Sequence, residues 1–346
     1  MVASIYSYYS VSQIASLTTT QVAAMTSTDV AALAQTQIAA FSLDAIATLS
    51  TTQISAISTT QMKALTESQI GAFTTGQMSF SGAQLSVLVE AQLQGFGVEE
   101  IGALTTLQLK GLTSTDIGEL STDQFRALSA TQLSALTSTQ VKGIDADELG
   151  VMTTTQLGAL SSGQLSGLTA VQLANIPTSL IAAMTTTQLS GLTATQLGWI
   201  GSTGMLSLSS TDIASLSTTQ IKGLTTTEVQ SLTTTQLAAL NATQLGALTS
   251  TQIKALTPDE LNALTTTQLS GFGTAQAYYL TSDQLQSLTT TLLNAMEGTQ
   301  FASLTPTALS GLTSEQMEAL TPDRVAWITT TQIKGLHDTQ IDALSS

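Results

Sequence analysis

Cysteine is absent from the 346-residue chain, which excludes disulfides and thiolate metal ligands and leaves the redox compartment open. Histidine occurs once, at His337, so neither a histidine metal cluster nor a repeated Ser/His catalytic pairing can be built. Aromatics make up 4% and charged residues 9% of the chain, where a quarter charged is usual. The core must therefore be aliphatic and the surface must be Thr, Ser and Gln. Eight basic residues against 23 acidic ones give a net charge of −15. With the bases scattered, no basic patch exists for nucleic acid or an anionic membrane. No apolar run approaches the roughly 20 residues that span a bilayer, so no membrane insertion is expected. Residues 1–9, MVASIYSYY, lack a positive n-region and a continuous apolar stretch, so no Sec-type signal peptide is visible. Gly-rich phosphate loops, metal-ligand clusters and aromatic stacking sets are missing as well.

What is present is a repeat. From Ser10 to Phe73 the chain is written in octads; residues 74–80 form a seven-residue unit; from Ser81 to Leu344 the octads resume, giving 42 units. The consensus is Ser/Thr at position 1, Thr or Ser at 2 and 3, Gln or an acid at 4, an aliphatic residue at 5, a variable residue at 6, Ala or Gly at 7 and Leu at 8. Leu256-Thr257-Pro258-Asp259-Glu260-Leu261 shows the chemistry most openly. Thr257 is a helix N-cap, Pro258 fits the first helical position, Glu260 completes a capping box, and Leu256 with Leu261 forms the hydrophobic staple. A new cap arrives every eight residues, so no helix runs much beyond two turns.

Charge placement supports the same reading without using the apolar residues. Twenty of the 23 acids fall at positions 1–4, and seven of the eight bases (Lys63, Lys110, Arg126, Lys142, Lys222, Lys254, Lys334) at position 6. Acids at the start and bases toward the end of each unit match a helix dipole. Pro258, Pro306 and Pro322 stand at position 2 and Pro177 at position 1, outside every helix interior. The spacing predicts an all-α solenoid of very short capped helices, one per octad, with positions 5 and 8 buried and the small residue at 7 allowing close approach. Those seven bases all lie in odd-numbered octads, which predicts pairing into 16-residue layers. A β-solenoid is the alternative, since Thr-rich short repeats form such folds, but it leaves the charge polarity, the prolines and the abundant Ala and Gln unexplained.

The expected organisation is an aromatic N-terminal segment or cap over residues 1–9, one continuous solenoid over 10–344 with a register break at 74–80, and a tail at 345–346. Residues 201–208 place Gly204 at the capping-box position, predicting a weak helix. Residues 273–280 lose the Leu at position 5 and bring Tyr278 and Tyr279. Tyr6, Tyr8 and Tyr9 lie ahead of the repeat; Trp199 and Trp327 take position 7, normally Ala or Gly; Leu344 ends the last octad. These six are the candidate inter-subunit contacts. Paired acids such as Glu99-Glu100, Asp147-Glu148 and Asp259-Glu260 are first-turn acids explained by the dipole. No catalytic, cofactor-binding or metal-binding residue is assigned, and the chain reads as a non-enzyme.

The phrase Leu-Thr-Thr-Thr-Gln-Ile/Leu-x-Ala/Gly-Leu resembles the Thr/Gln-rich octapeptide arrays of bacterial secreted or surface proteins described as adhesin-like. The resemblance spans nearly the whole chain, is one of repeat style, and carries over no functional residue. It implies an extracellular or cell-surface setting. The expected function is a self-assembling structural subunit of a filament or sheath whose partner is another copy of itself. The alternatives are a monomeric rigid spacer or adhesin stalk, and an ice- or glycan-binding Thr-rich surface; the Thr and Ser hydroxyls are also possible glycan acceptors.

Overall fold

The structure is a computed structural model and describes residues 4–344. Among these residues there are 40 short α-helices, two 3₁₀ segments and no strand, so the fold is an all-α repeat solenoid and the β-solenoid alternative is removed. The two residues read as a tail lie outside the described residues. The chain falls into two compact units, Met1–Pro177 and Thr178–Ser346.

Most helices start as the octad chemistry dictates. At helix Pro258–Asn262 the Thr257 backbone is extended, its hydroxyl accepts the Glu260 N–H at 3.3 Å, and the Glu260 carboxyl accepts the Thr257 N–H at 2.6 Å. Pro258, Pro306 and Pro322 each open a helix. Helices end without the usual left-handed residue: Gly201 is the one described residue with positive φ. In helix Ser250–Ala255 the stop is Leu256, at φ −62 and ψ 132. An extended residue here aims the chain into the next cap, whose own backbone must also be extended.

Helices of four to six residues are unstable alone, so their order comes from packing. Position 5 is the most deeply buried: Ile54, Leu85, Leu237 and Leu261 are each 0% exposed. Position 8 is buried beside it. Each such side chain contributes roughly 1.5–3 kcal/mol on burial, and together they form one aliphatic core within each unit.

The pairing into 16-residue layers is not what the structure shows. In the first unit, helix Val11–Ala15 packs on Gln35–Ile38, Thr19–Ala23 on Leu43–Ala47 and Ser27–Ala31 on Thr51–Ser55. In the second, Thr218–Gly223 packs on Ala242–Leu245 and Pro258–Asn262 on Ser282–Ser287. Every such contact is with the helix three octads away, and polar bonds between coils recur at 28 and 31 residues. A coil therefore takes about 28 residues, or three and a half octads. A half-integral number places odd and even octads alternately on the same side, so parity defines no face. Position 6 is exposed in both classes, at Lys63 and at Ala23, and the parity of the bases has no structural counterpart.

The departures from the repeat are absorbed locally. The seven-residue unit contains a 3₁₀ segment, Thr75–Gln77, in place of an α-helix. Its neighbourhood is filled by aromatic volume: Phe73 and Phe80 meet edge to face at 4.9 Å, and Phe80 meets Phe96 at 5.7 Å. The expected weak helix over 201–208 is instead helical to Ser207, kinked at Gly201 (φ 75) within the element Ala194–Ser207. Gly204 is buried there, and a β-carbon on it would run into the Ile200 side chain. In the octad starting at Gly273, Ala277 takes the core place of the missing Leu and is 0% exposed, Tyr278 is exposed, and Lys254 lies 5.2 Å from the Tyr279 ring.

Candidate functional site

The chemistry that recurs through both units is the side chain at position 4. Gln53 is typical. Its Oε1 accepts the N–H of its own cap residue Ser50 at 2.7 Å, while its Nε2 donates to the carbonyls of Val22 and Met25, one coil back, at 2.9 and 2.8 Å. Gln252 repeats this with Thr249, Ile221 and Leu224 at 2.8, 2.8 and 2.7 Å. Among the described residues twenty-six glutamines are buried. A buried primary amide is costly unless all its groups are paired, and here one acceptor and two donors each have a partner. Glutamine alone has the length and both polarities: Asp and Asn are a carbon short, and ionised Glu has no donor.

The register break confirms that the ladder counts octads and not residues. Where the shortened unit lies between partners, Gln84 reaches Ile54 and Ile57, and Gln92 reaches Met62 and Leu65, at separations of 30 and 27 residues. Gln77, inside that unit, keeps its bonds to Ile46 and Leu49 at 2.9 and 2.8 Å.

In four octads without an acceptor at position 4 the cap N–H is settled by other means. Leu292 cannot accept from Thr289, and Asn262 from the preceding coil does so at 3.0 Å while donating to Ser287 O at 2.8 Å. Arg324 cannot accept from Thr321, and Asn294 replaces it in the same way, at 3.0 Å to Thr321 N and 2.7 Å to Ala319 O. Leu180 belongs to the octad that starts with Pro177, which has no N–H. Gly204 belongs to the octad whose first N–H, on Gly201, donates to Glu228 Oε1 at 3.1 Å.

The acids at position 4 divide accordingly. Glu228 Oε2 caps Thr225 at 2.7 Å and its Oε1 takes the Gly201 N–H. Glu148 and Glu260 cap Asp145 and Thr257 at 2.8 and 2.6 Å, yet the Oε1 of each is buried without a partner. Burial pushes the Glu148 carboxyl up to about 8 and raises that of Glu260. Asp116, shorter by a carbon, caps Thr113 at 2.6 Å. Glu119 is raised by burial and by the nearby Asp116 and Glu90 charges. Asp29 is held below its usual range by hydrogen bonds from Ser4 and Thr26.

Position 7 sets how closely coils approach. Gly167 abuts Ser138, and Gly311 abuts Ser282, each 29 residues earlier; a β-carbon on Gly167 would stand 2.7 Å from Ser138 O and 3.2 Å from Ser138 Cβ. Gly143 meets the Ser114 backbone in the same way.

The six candidate contact residues do not share one place. Segment Ile5–Tyr8 forms a 3₁₀ turn, Tyr6 and Tyr9 meet edge to face at 5.4 Å, and their carbonyls accept the Gln37 amide at 3.1 and 2.7 Å. Tyr8 is 77% exposed. Trp199, 38% exposed, lies on Ala194–Ser207. Trp327 follows helix Pro322–Ala326 and lays its ring on Gly298, with the Arg324 guanidinium 4.4 Å from the ring centre. Leu344 closes helix Asp338–Ala343 and is half-buried. His337 is that helix's N-cap, without a side-chain capping bond. Among the described residues no three His, Asp or Glu side chains gather to hold a metal ion, and no helix is long and apolar enough to cross a membrane. The larger depressions are open grooves between coils, such as one of about 540 Å³ beside Tyr278, lined by Thr274, Ser303, Thr305, Thr329 and Thr331.

The glutamine ladder was not foreseen from the sequence, where position 4 reads only as the second half of a capping box. The signal was there: Glu completes that box equally well, yet this acidic chain places Gln at position 4 in 29 of its 42 units and Glu in four.

A comparison with curated proteins finds no match. A family model described as the ALTTAQ repeat matches residues 38–79, 110–144, 229–258, 258–290 and 293–330, together just over half of the chain. Its name matches the junction seen here in all but one letter, as in Ala263-Leu264-Thr265-Thr266-Thr267-Gln268, where Leu264 is core, Thr265 is the cap and Gln268 is the inter-coil rung. The chain belongs to the ALTTAQ repeat family.

Proposed function

We propose that this repeat scaffold is a self-assembling structural protein, a subunit of an extracellular or cell-surface filament or sheath, with another copy of itself as partner and no catalytic role. One observation carries the reading: octad after octad, a glutamine offers the same donors toward one neighbouring coil and takes the same carbonyls there, as at Gln53 and Gln252. A surface that stacks on its own repeat within a chain is complementary to the same surface of a second chain, which is the requirement for head-to-tail growth. The exposed rings of Tyr8 and Trp199 are the side chains offered for contacts between copies, and the low charge of the Thr/Ser surface keeps repulsion between copies small.

Light scattering and electron microscopy of the purified protein over a range of salt and pH test this. Filaments or sheets, weakened when Tyr8 or Trp199 is replaced by Ser, are the expected result. Dispersed monomers under all conditions would refute assembly and leave the monomeric spacer as the function.

A further inference from the structure

Three buried glutamates, Glu148, Glu228 and Glu260, stand where glutamine normally bridges coils, and they are not equivalent. Opposite Glu228 the chain turns a backbone N–H, that of Gly201, toward the carboxyl. Opposite Glu148 and Glu260 no such donor exists. By the spacing of the ladder, the groups in those places are the carbonyls of Ile117 and Leu120 for Glu148, and of Val229 and Leu232 for Glu260. Both glutamates are nearly fully buried, at 1% and 3% exposure, and in each it is Oε1, the atom standing where glutamine carries its NH₂, that lacks a partner. A carboxylate facing carbonyl oxygens is repelled; a neutral carboxylic acid has one O–H to donate and reproduces half of what glutamine does.

We infer that Glu148 and Glu260 are protonation-gated rungs, each joining adjacent coils as a neutral acid whose O–H donates to a carbonyl of the coil before it, and releasing that contact as a carboxylate. The surrounding charges do not supply an alternative partner. Around Glu148, its own helix and cap bring Asp145 and Asp147; the helices packed against it bring Asp123 and Arg126 (Thr122–Ala127) and no charge (Ala170–Asn175); Ser114–Gly118 and its cap bring Asp116 and Glu119; and Lys142 closes the preceding helix. Around Glu260 they are Asp259 on its own helix, Asp283 on Ser282–Ser287, none on Thr234–Ala238, Glu228 on Thr226–Ser231 and Lys254 on the preceding helix. No ion pair to either glutamate is formed by Arg126, Lys142 or Lys254, and the surplus of acids favours the protonated form.

The direction with pH follows. A carboxyl raised in the folded chain holds its proton more tightly there than when unfolded, so its contribution is fully present below the ordinary carboxyl value of 4.5 and is lost as pH rises through about 8 for Glu148. Thermal unfolding of the full chain from pH 5 to 9 tests this on four proteins: wild type, Glu148→Gln, the double variant Glu148→Gln/Glu260→Gln, and Glu228→Gln as the internal control. The replacements restore the commonest residue of the position and leave the capping bond in place. The wild-type midpoint should fall by roughly 3–6 °C between these pH values, the double variant should lose most of that fall, Glu148→Gln should lose a large part of it, and Glu228→Gln should lower the midpoint while keeping the fall. A double variant with the full wild-type fall overturns the inference. So does recovery of wild-type stability at pH 9 on adding Na⁺, K⁺ or Ca²⁺, which would make a cation and not a proton the missing bridge.

Discussion

Replacing Gln252 by Met isolates the polar contribution of a single rung. Methionine has nearly the length and volume of glutamine and suits a buried site, so the cavity left behind is small. Three hydrogen bonds disappear: Thr249 N–H loses its acceptor, and the carbonyls of Ile221 and Leu224 lose a donor. The Ile221 carbonyl keeps the Leu224 N–H at 3.3 Å, whereas the Leu224 carbonyl, in a site where Gln252 is 1% exposed, is left buried without a partner. At about 1 kcal/mol for each bond, plus the cost of an orphaned buried carbonyl, the expected loss is roughly 3–4 kcal/mol. In a repeat chain stability is a sum of local and nearest-neighbour terms, so the loss is concentrated near the altered rung. Native-state hydrogen exchange is the suitable assay. Amides of residues 221–224 and 249–256 should lose protection by that amount, while those in the Met1–Pro177 unit keep theirs. A loss under about 0.5 kcal/mol at these amides, or one spread evenly along the chain, would refute the claim that the amide bridges hold neighbouring coils together.

Two other substitutions follow from the geometry. Asn262→Ala removes the acceptor for Thr289 N–H, which Leu292 cannot replace, and should cost about 1–3 kcal/mol, read as early urea unfolding of the region around residues 282–296; Asn262→Ser with unchanged stability would show that the bridge is not needed. Gly143→Val drives a branched side chain into the Ser114 backbone and should cost at least about 2 kcal/mol by forcing the coils apart, whereas the same change at Gly150, which has nothing within 4 Å, should cost little beyond helix propensity; equal effects at the two sites would contradict the close-approach role of position 7.

Helix starts were legible in the sequence because capping is local chemistry. Thr257, Pro258 and Glu260 specify their roles within four residues, and the structure places each accordingly. The core was legible for the same reason: positions 5 and 8 repeat through the octads and are buried in nearly all of them, Ile333 and Ile341 of the last two being exposed. The size of the coil was not, because it depends on the angle between successive helices, which Leu256 and its equivalents set through an extended backbone that any residue can adopt. Counting bases by parity could not supply that angle, since position 6 is exposed in octads of both parities, as at Lys63 and Ala23. The ladder was hidden by a double role. Gln252 caps Thr249 through one atom and bridges to Ile221 and Leu224 through another, and only the first bond is local enough to read from spacing. Once the second is known, the residues that break the repeat become orderly: Asn262, Asn294, Pro177 and the Gly201–Glu228 pair each settle a cap N–H that position 4 leaves open.

The central claim, that coils close at about 28 residues and not at 16, can be tested directly because the chain has no cysteine of its own. Gly102→Cys with Ala127→Cys places two β-carbons about 3.9 Å apart, 25 residues along the chain and three octads on, within the 3.5–4.5 Å a disulfide needs. Ser138→Cys with Thr154→Cys tests the 16-residue spacing. Under mild oxidation of the folded protein the first pair should link within the chain, with the mobility change abolished by reductant, and the second should not. A disulfide in the second pair and none in the first would contradict the architecture described for these coils.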